Sequence, residues 1–351
     1  MKKILVTGAA GFIGSNFVRR VLDLRPDWEI LVVDALTYAG NLENLSGLKE
    51  KHGARYRFER ADIRKTEDVE KVLRDEKFDG VFHFAAESHV DRSILGPLTF
   101  VETNVLGTVN LLEAVRKYQD IAGTRFLHIS TDEVYGALGK DGFFTETTPL
   151  NPSSPYSASK ASSDMFVLAY HRTYRLDTVI TRCCNNYGPL QFPEKLIPFM
   201  IKRALYGEPL PVYGDGKNVR DWIHVDDHND GTLLAFEKGK PGEVYNLGSR
   251  CEKNNIEIVT LIIEKLSALM REREDFRTPE IAFVKDRPGH DFRYAIDPAK
   301  AESELGFSPA VSFEDGMERT VRWYLENRGW WEKIISGEYM EFVKKLYGEK
   351  G

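Results

Sequence analysis

The sequence predicts an α/β fold, a doubly wound parallel sheet with a smaller mixed α/β part toward the C-terminus, and three observations carry that expectation. Short apolar runs alternate with helical segments through the first half of the chain. A glycine-rich turn, Gly8-Ala9-Ala10-Gly11-Phe12-Ile13-Gly14, joins the first run to the first helix, and an acidic residue, Asp34, ends the second run. Strands that alternate with helices form βαβ units, because parallel neighbours need a crossover between them.

Taken in order, 3–7 reads as a buried strand, 15–24 as a helix and 30–34 as a second apolar strand. The pattern recurs with a strand at 80–84, a helix at 97–118, a strand at 125–130, a helix at 156–174 and a strand at 178–181. After Cys184 the texture changes to loops punctuated by Pro189, Pro193, Pro198, Pro209 and Pro211. The expected division is a cofactor domain over 1–184 and a substrate domain mainly over 185–351. A helix at 225–236 and a strand at 243–247 suggest that 223–250 returns to the first sheet.

Composition narrows the function classes. The 351 residues are 42% hydrophobic and 29% charged, enough to bury a full core. With a net charge of -6 and no long Lys/Arg run, the chain lacks the footprint of a nucleic-acid binder. Met1-Lys2-Lys3 precedes an apolar run, but Gly8, Gly11 and Gly14 interrupt it, so a mature N-terminus is expected and not a signal peptide. No apolar stretch approaches the ~20 residues of a membrane span, and the expected location is the cytoplasm. Cys183, Cys184 and Cys251 form neither a zinc spacing nor a disulfide framework, and the adjacent pair reads as buried strand. His89, His224 and His290 show no ligand spacing, so no metal is expected. Trp330 and Trp331 read as core or contact-surface residues.

A Gly-rich turn between strand and helix lets the backbone approach a pyrophosphate at the positive end of the helix. Asp34, twenty positions after Gly14, can accept hydrogen bonds from ribose hydroxyls and would repel a 2′-phosphate. The combination makes the first unit an NAD-binding Rossmann unit. Tyr156 and Lys160 stand four residues apart, on one helix face. That pair alone describes many solvated surfaces; beside a nicotinamide, Lys160 and NAD⁺ would favour the Tyr156 phenolate, which could then take a hydroxyl proton as hydride leaves the same carbon.

In the glycine turn, Asp34 and the Tyr156/Lys160 pair together, the chain resembles the extended short-chain dehydrogenase/reductase family over nearly its whole length. Within that family, Thr131-Asp132-Glu133 is similar to the signature of nucleotide-sugar 4,6-dehydratases. The resemblance implies Thr131, Asp132, Glu133, Tyr156 and Lys160 as catalytic residues, with Glu133 the base at C5 and Asp132 the acid at C6 of a hexose. Asp132 must then be protonated, through burial and its neighbour. Around NAD the resemblance implies Gly8, Gly11, Phe12, Ile13, Gly14, Asp34, Ala35, Leu36, Thr37, Asp62, Ile63, Phe84, Ala85, Ala86, Glu87, Thr103 and Asn186, besides Tyr156 and Lys160.

For a nucleoside diphosphate glucose the resemblance implies Ser88, Thr131, Asn185, Lys195, Leu196, Pro211, Val212, Tyr213, Arg220, Asn255, Asp286, Arg287, Pro288, Gly289 and His290. Arg220 and Arg287 stand out, since a planar guanidinium suits pyrophosphate oxygens. The bases thymine and uracil differ by one methyl, and the sequence leaves both carriers open with the thymidine diphosphate first. The resemblance also implies a homodimer through the helices at 97–118 and 156–174. Two rivals stay open: a 4-epimerase, which would share Tyr156, Lys160 and NAD but has no need of the Asp132/Glu133 pair, and a non-catalytic NAD-binding regulatory protein, which would need none of the five.

Overall fold

A computed structural model of the chain describes residues 1–121, 123–273, 276–286 and 291–335. Its strands are β1 (Lys2–Thr7), β2 (Trp28–Asp34), β3 (Tyr56–Arg60), β4 (Gly80–His83), β5 (Arg125–Thr131), β6 (Thr178–Cys183), β7 (Asn185–Tyr187), β8 (Leu210–Tyr213), β9 (Val219–His224), β10 (Val244–Leu247), β11 (Glu252–Asn254), β12 (Ile281–Val284) and β13 (Arg293–Tyr294). Seven of them form one parallel sheet in the order β10-β6-β5-β4-β1-β2-β3. The chain leaves β1 toward β2 on one side and reaches β4 on the other. Their carboxyl ends therefore open a crevice at the point where strand order reverses, where doubly wound sheets bind ligands.

Alternation along each strand fills both faces. Ile4, Val6, Ile30, Val32, Phe82 and Leu127 pack into one core, while Leu5, Leu31, Val33, Val81 and Phe126 pack into the other. Burial on both faces is why these strands read as continuous apolar runs. A third core, with Tyr187, Ile197, Met200, Trp222, Ile258 and Trp331, lies under the smaller sheets. There β9 pairs with β7, β11 and β13, and β8 pairs with β12. β10 is bonded to β6, and the helix Val225–Lys238 packs against the helix Phe12–Leu24.

Several features depart from the sequence reading, the helix Thr66–Asp75 among them. The strand β3 was not foreseen: it sits at the sheet edge, so Tyr56-Arg57-Phe58-Glu59-Arg60 is charged and half-exposed. Its presence makes Gly80–His83 the fourth strand, where the sequence counts a third, and Arg125–Thr131 the fifth, where it counts a fourth. The helix expected over 97–118 is α-helical at Pro97–Phe100 and Gly107–Tyr118 but widens into a π-turn at Val101–Leu106. Such widening commonly marks functional positions; here it contains Thr103, on the crevice, and buried Asn104. Trp331 is buried in the third core, and the Trp330 indole donates to Asn44 Oδ1 at 2.8 Å.

Candidate active site

The crevice holds a cavity of about 300 Å³. The glycine-rich turn forms one wall. Gly8 has φ +73°, and a Cβ there would fall 2.4 Å from the backbone of Ala85, so only glycine lets the two strand ends meet. A Cβ on Gly14 would lie 2.8 Å from Ala9 Cα, inside the turn itself. The helix Phe12–Leu24 opens with Gly11 as N-cap, no side-chain cap and no acid in its first turn, so its positive end is left for an external anion. Asp34, at the end of β2, is buried; Oδ2 accepts from Ala10 N at 2.9 Å and Oδ1 from Leu36 N at 2.8 Å. A carboxylate has about four acceptor sites, so two remain for ribose hydroxyls. The cradle fits a dinucleotide.

Ala35, Thr37, Asp62, Ile63, Phe84, Ala85, Ala86, Glu87, Thr103 and Asn186 also line the cavity, together with Gly8, Gly11, Phe12, Ile13 and Gly14. Leu36 does not. It adopts φ +56° and contributes its N–H to Asp34.

At the end of β5, Thr131 caps the short turn Asp132–Tyr135 and accepts from Glu133 N at 3.3 Å. The same hydroxyl donates to Asp132 Oδ1 at 3.3 Å. Burial, then the adjacent Glu133, then Asp221 push the Asp132 carboxyl well above its ordinary range. The helix Pro155–Tyr174 begins at a Ser154/Ser157 capping box with Pro155 in its first turn, which fixes Tyr156 and Lys160 on its opening turns. All five residues, Thr131, Asp132, Glu133, Tyr156 and Lys160, line the one cavity.

Lys160 stands one helical turn after Tyr156 and is buried. Its Nζ donates to Ile129 O at 2.8 Å and lies 3.3 Å from His128 Nε2. Burial, and then Glu133, push the Tyr156 phenol well up, while burial pushes Lys160 down to about 8. Burial and Glu133 thus oppose the phenolate, and the positive charges of Lys160 and of NAD⁺ are what would offset them.

Of the residues expected at the substrate, Ser88, Asn185 and Lys195 line the cavity, and Lys195 Nζ donates to Ser88 O at 2.9 Å. Leu196 opens the helix Leu196–Leu205, Pro211, Val212 and Tyr213 lie in β8, Asn255 opens the helix Asn255–Met270, and Asp286 packs beside Gly214. These four stretches stand outside the cavity wall. Arg220 is buried in β9; its guanidinium reaches the carbonyls of Val219, Asp291 and Phe292 and stacks on Tyr294 at 4.3 Å. Arg287, Pro288, Gly289 and His290 lie outside the described residues.

Sequence reasoning passed over Tyr38, Arg64, Ser130, Cys183, Cys184, Gln191 and Glu194 in the same wall. Ser130 Oγ, Asp132 Oδ2, Asn186 Oδ1, Gln191 Oε1 and Glu194 Oε1 are buried there with no hydrogen-bond partner among the described residues. Orphaned polar atoms converging on one cavity suit a polar ligand. Among the described residues there is no cluster of three or more metal-ligating side chains, and no helix is long and apolar enough to cross a membrane.

Comparison with known proteins agrees with this geometry. The family model described as GDP-mannose 4,6 dehydratase matches residues 5–320. A dTDP-glucose 4,6-dehydratase of Neisseria meningitidis is 51% identical, over 97% of this chain and 98% of that one. The crystal structure of dTDP-glucose 4,6-dehydratase from Streptomyces venezuelae with NAD and TYD bound superposes with a TM-score of 0.87 at 50% identity, covering 95% of this chain and 99% of that one. The dTDP-glucose 4,6-dehydratase of Bacillus anthracis in complex with NAD gives 0.84 at 47% identity, covering 95% and 100%.

Proposed function

The chain belongs to the GDP-mannose 4,6 dehydratase family, and from that membership we propose that it carries the activity of a dTDP-glucose 4,6-dehydratase, a hydro-lyase that uses NAD. The observation that carries this reading is the pair Asp132/Glu133 on the cavity wall that also holds the glycine turn, Tyr156 and Lys160.

The turn and Asp34 would hold NAD, which when bound would supply an acceptor for hydride from C4 and a donor of the same hydride to C6. Tyr156 takes the C4 hydroxyl proton, and the positive charge of Lys160 favours the phenolate. The C4 ketone acidifies the C5 hydrogen, which Glu133 removes. Asp132 protonates the C6 hydroxyl, which departs as water. Burial and the adjacent Glu133 raise the pKa of the Asp132 carboxyl, which keeps the needed proton in place. Glu133 then returns a proton to C5, and the proton collected by Tyr156 balances the one Asp132 gives. The product is the 4-keto-6-deoxy sugar nucleotide.

Residues 1–184 with 223–250 are taken as the cofactor domain and the rest of 185–351 as the substrate domain. The substrate domain would place Arg220 and the 286–290 stretch around the nucleotide. A homodimer is supported by an exposed apolar row on the two helices, Leu98 at 73%, Val101 at 51%, Met165 at 53% and Phe166 at 40% exposure. Sedimentation of the purified protein tests it, a dimer being expected and a concentration-independent monomer contradicting it. The cytoplasm, where nucleotide sugars and NAD are at hand, is the proposed location.

The decisive assay incubates the protein and NAD with dTDP-glucose or with UDP-glucose and weighs the product. Loss of one water from dTDP-glucose, faster than from UDP-glucose, is expected. A product of unchanged mass would indicate an epimerase, and two unchanged substrates a binding protein.

A further inference from the structure

Behind the wall that carries Tyr156 lies a set of buried charged side chains that the reaction above does not use. Lys160 is 4% exposed, and among the described residues its Nζ meets a carbonyl and an imidazole: Ile129 O at 2.8 Å and His128 Nε2 at 3.3 Å. One helical turn on, Asp164 is fully buried. Its Oδ2 accepts from Arg182 Nε at 2.8 Å, and its Oδ1 lies 3.5 Å from the same His128 Nε2. Arg182 is fixed from its far side, donating from Nη1 to Tyr135 OH at 2.9 Å, while Tyr135 donates to Asn246 Oδ1 at 2.8 Å. Asp164 is thus clamped, with one edge turned to the imidazole that touches Lys160.

The other neighbours give Lys160 little electrostatic support. From β4, His83 stands 5.2 Å from the His128 ring and is held between the hydroxyls of Thr7 and Thr108. Burial pushes both imidazoles well down, so they stay neutral. From β6, Arg182 is a like charge, and burial pushes the Cys183 thiol up to about 12. On its own helix stands Tyr156, with Asp132 and Glu133 beyond it. An ammonium out of water needs a compensating anion, and Asp164 is the foremost group that opposes the effect of burial on Lys160.

We propose that Asp164, clamped by Arg182, is a positioning residue whose carboxylate, one helical turn from Lys160, holds the Lys160 ammonium charged in the wall that carries Tyr156. The proposal rests on the dehydratase reading for its catalytic consequence and on the geometry alone for the state of Lys160. Removing the carboxylate lowers the pH at which Lys160 loses its proton. The ammonium is then lost as pH rises through a lower value, and C4 oxidation fails earlier on the alkaline side.

The test titrates the ε-carbon NMR resonance of Lys160 in NAD-loaded protein made with isotope-labelled lysine, assigned with Lys160→Met. Alongside it, the pH profile of C4 oxidation of dTDP-glucose is read in a single turnover. In Asp164→Asn the Lys160 midpoint and the alkaline limb are expected to move down together by about one pH unit or more, with KM within about twofold, as uniform-binding contacts are untouched. Asp164→Glu should recover most of the shift. Because a lone buried Arg182 can unfold the protein, Asp164→Asn/Arg182→Met serves as the folded control and should show a smaller movement in the same direction, since the like charge of Arg182 leaves with the carboxylate. An unmoved midpoint in either folded variant overturns the proposal. If the wild type fails to oxidise dTDP-glucose, the dehydratase reading falls while the titration still decides the Asp164–Lys160 coupling.

Discussion

Replacing Asp132 by Asn separates the two halves of the chemistry. Asp132 is 1% exposed, its Oδ1 accepts from Thr131 at 3.3 Å, and its Oδ2 has no partner among the described residues. Asn has the shape of the neutral acid and keeps an oxygen for Thr131. Its amide hydrogens replace an acid hydrogen that is itself without a partner, so the change in stability at acid pH is within about 1 kcal/mol. A carboxyl raised by burial and by Glu133 favours the fold while protonated, and that contribution is lost as pH climbs from its ordinary 3.8 toward its folded value. Asn never ionises, so the variant should gain on the wild type in melting temperature as pH rises. Its catalytic effect has the opposite sense. Loss of a general acid costs about 10²–10⁴-fold, or roughly 3–5 kcal/mol of barrier, and it should fall on elimination and spare C4 oxidation. Rapid-quench single turnovers with dTDP-glucose, read beside the absorbance of the reduced nicotinamide, separate the steps. Equal loss of both steps, or dehydration at the wild-type rate, would refute the role given to Asp132.

Glu133→Gln should likewise block elimination by about 10²-fold or more while C4 oxidation persists, and C5 of recovered substrate should stop exchanging with heavy water; continued exchange contradicts the assignment. Gly8→Ala forces a Cβ to 2.4 Å from the Ala85 backbone in a left-handed turn, an arrangement that costs at least about 1–2 kcal/mol before the clash is relieved. NAD affinity measured by calorimetry should fall at least about tenfold, and unchanged affinity would show that the turn does not set the cofactor seat.

How far the chain could be read from its sequence depended on which groups were local. The turn from Gly8 to Gly14 and the partner Asp34 were legible because backbone geometry and one carboxylate at a set spacing specify them. The Tyr156/Lys160 pair was legible from its helical spacing once a nicotinamide was expected beside it, and the Asp132/Glu133 pair only through family resemblance. The edge strand Tyr56–Arg60 escaped because half-exposed alternation with charges resembles a loop. The π-turn at Val101–Leu106 escaped because its sequence is helical in every local respect. Tyr38, Gln191 and Glu194 reach the cavity from loops far apart in sequence, so only the fold reveals them; for Glu194 the neighbouring Lys195 was the available signal. Arg220 was expected to face pyrophosphate, and its stacking on Tyr294 and engagement with backbone carbonyls could not be foreseen from a lone arginine in a strand.

The most direct test of the hydride shuttle follows one atom. With dTDP-glucose deuterated at C4, in ordinary water, the deuterium should appear at C6 of the 4-keto-6-deoxy product, within the same molecule, while C5 carries hydrogen from solvent. Deuterium released to the solvent, or retained at C4 of an epimerised sugar, would contradict the mechanism.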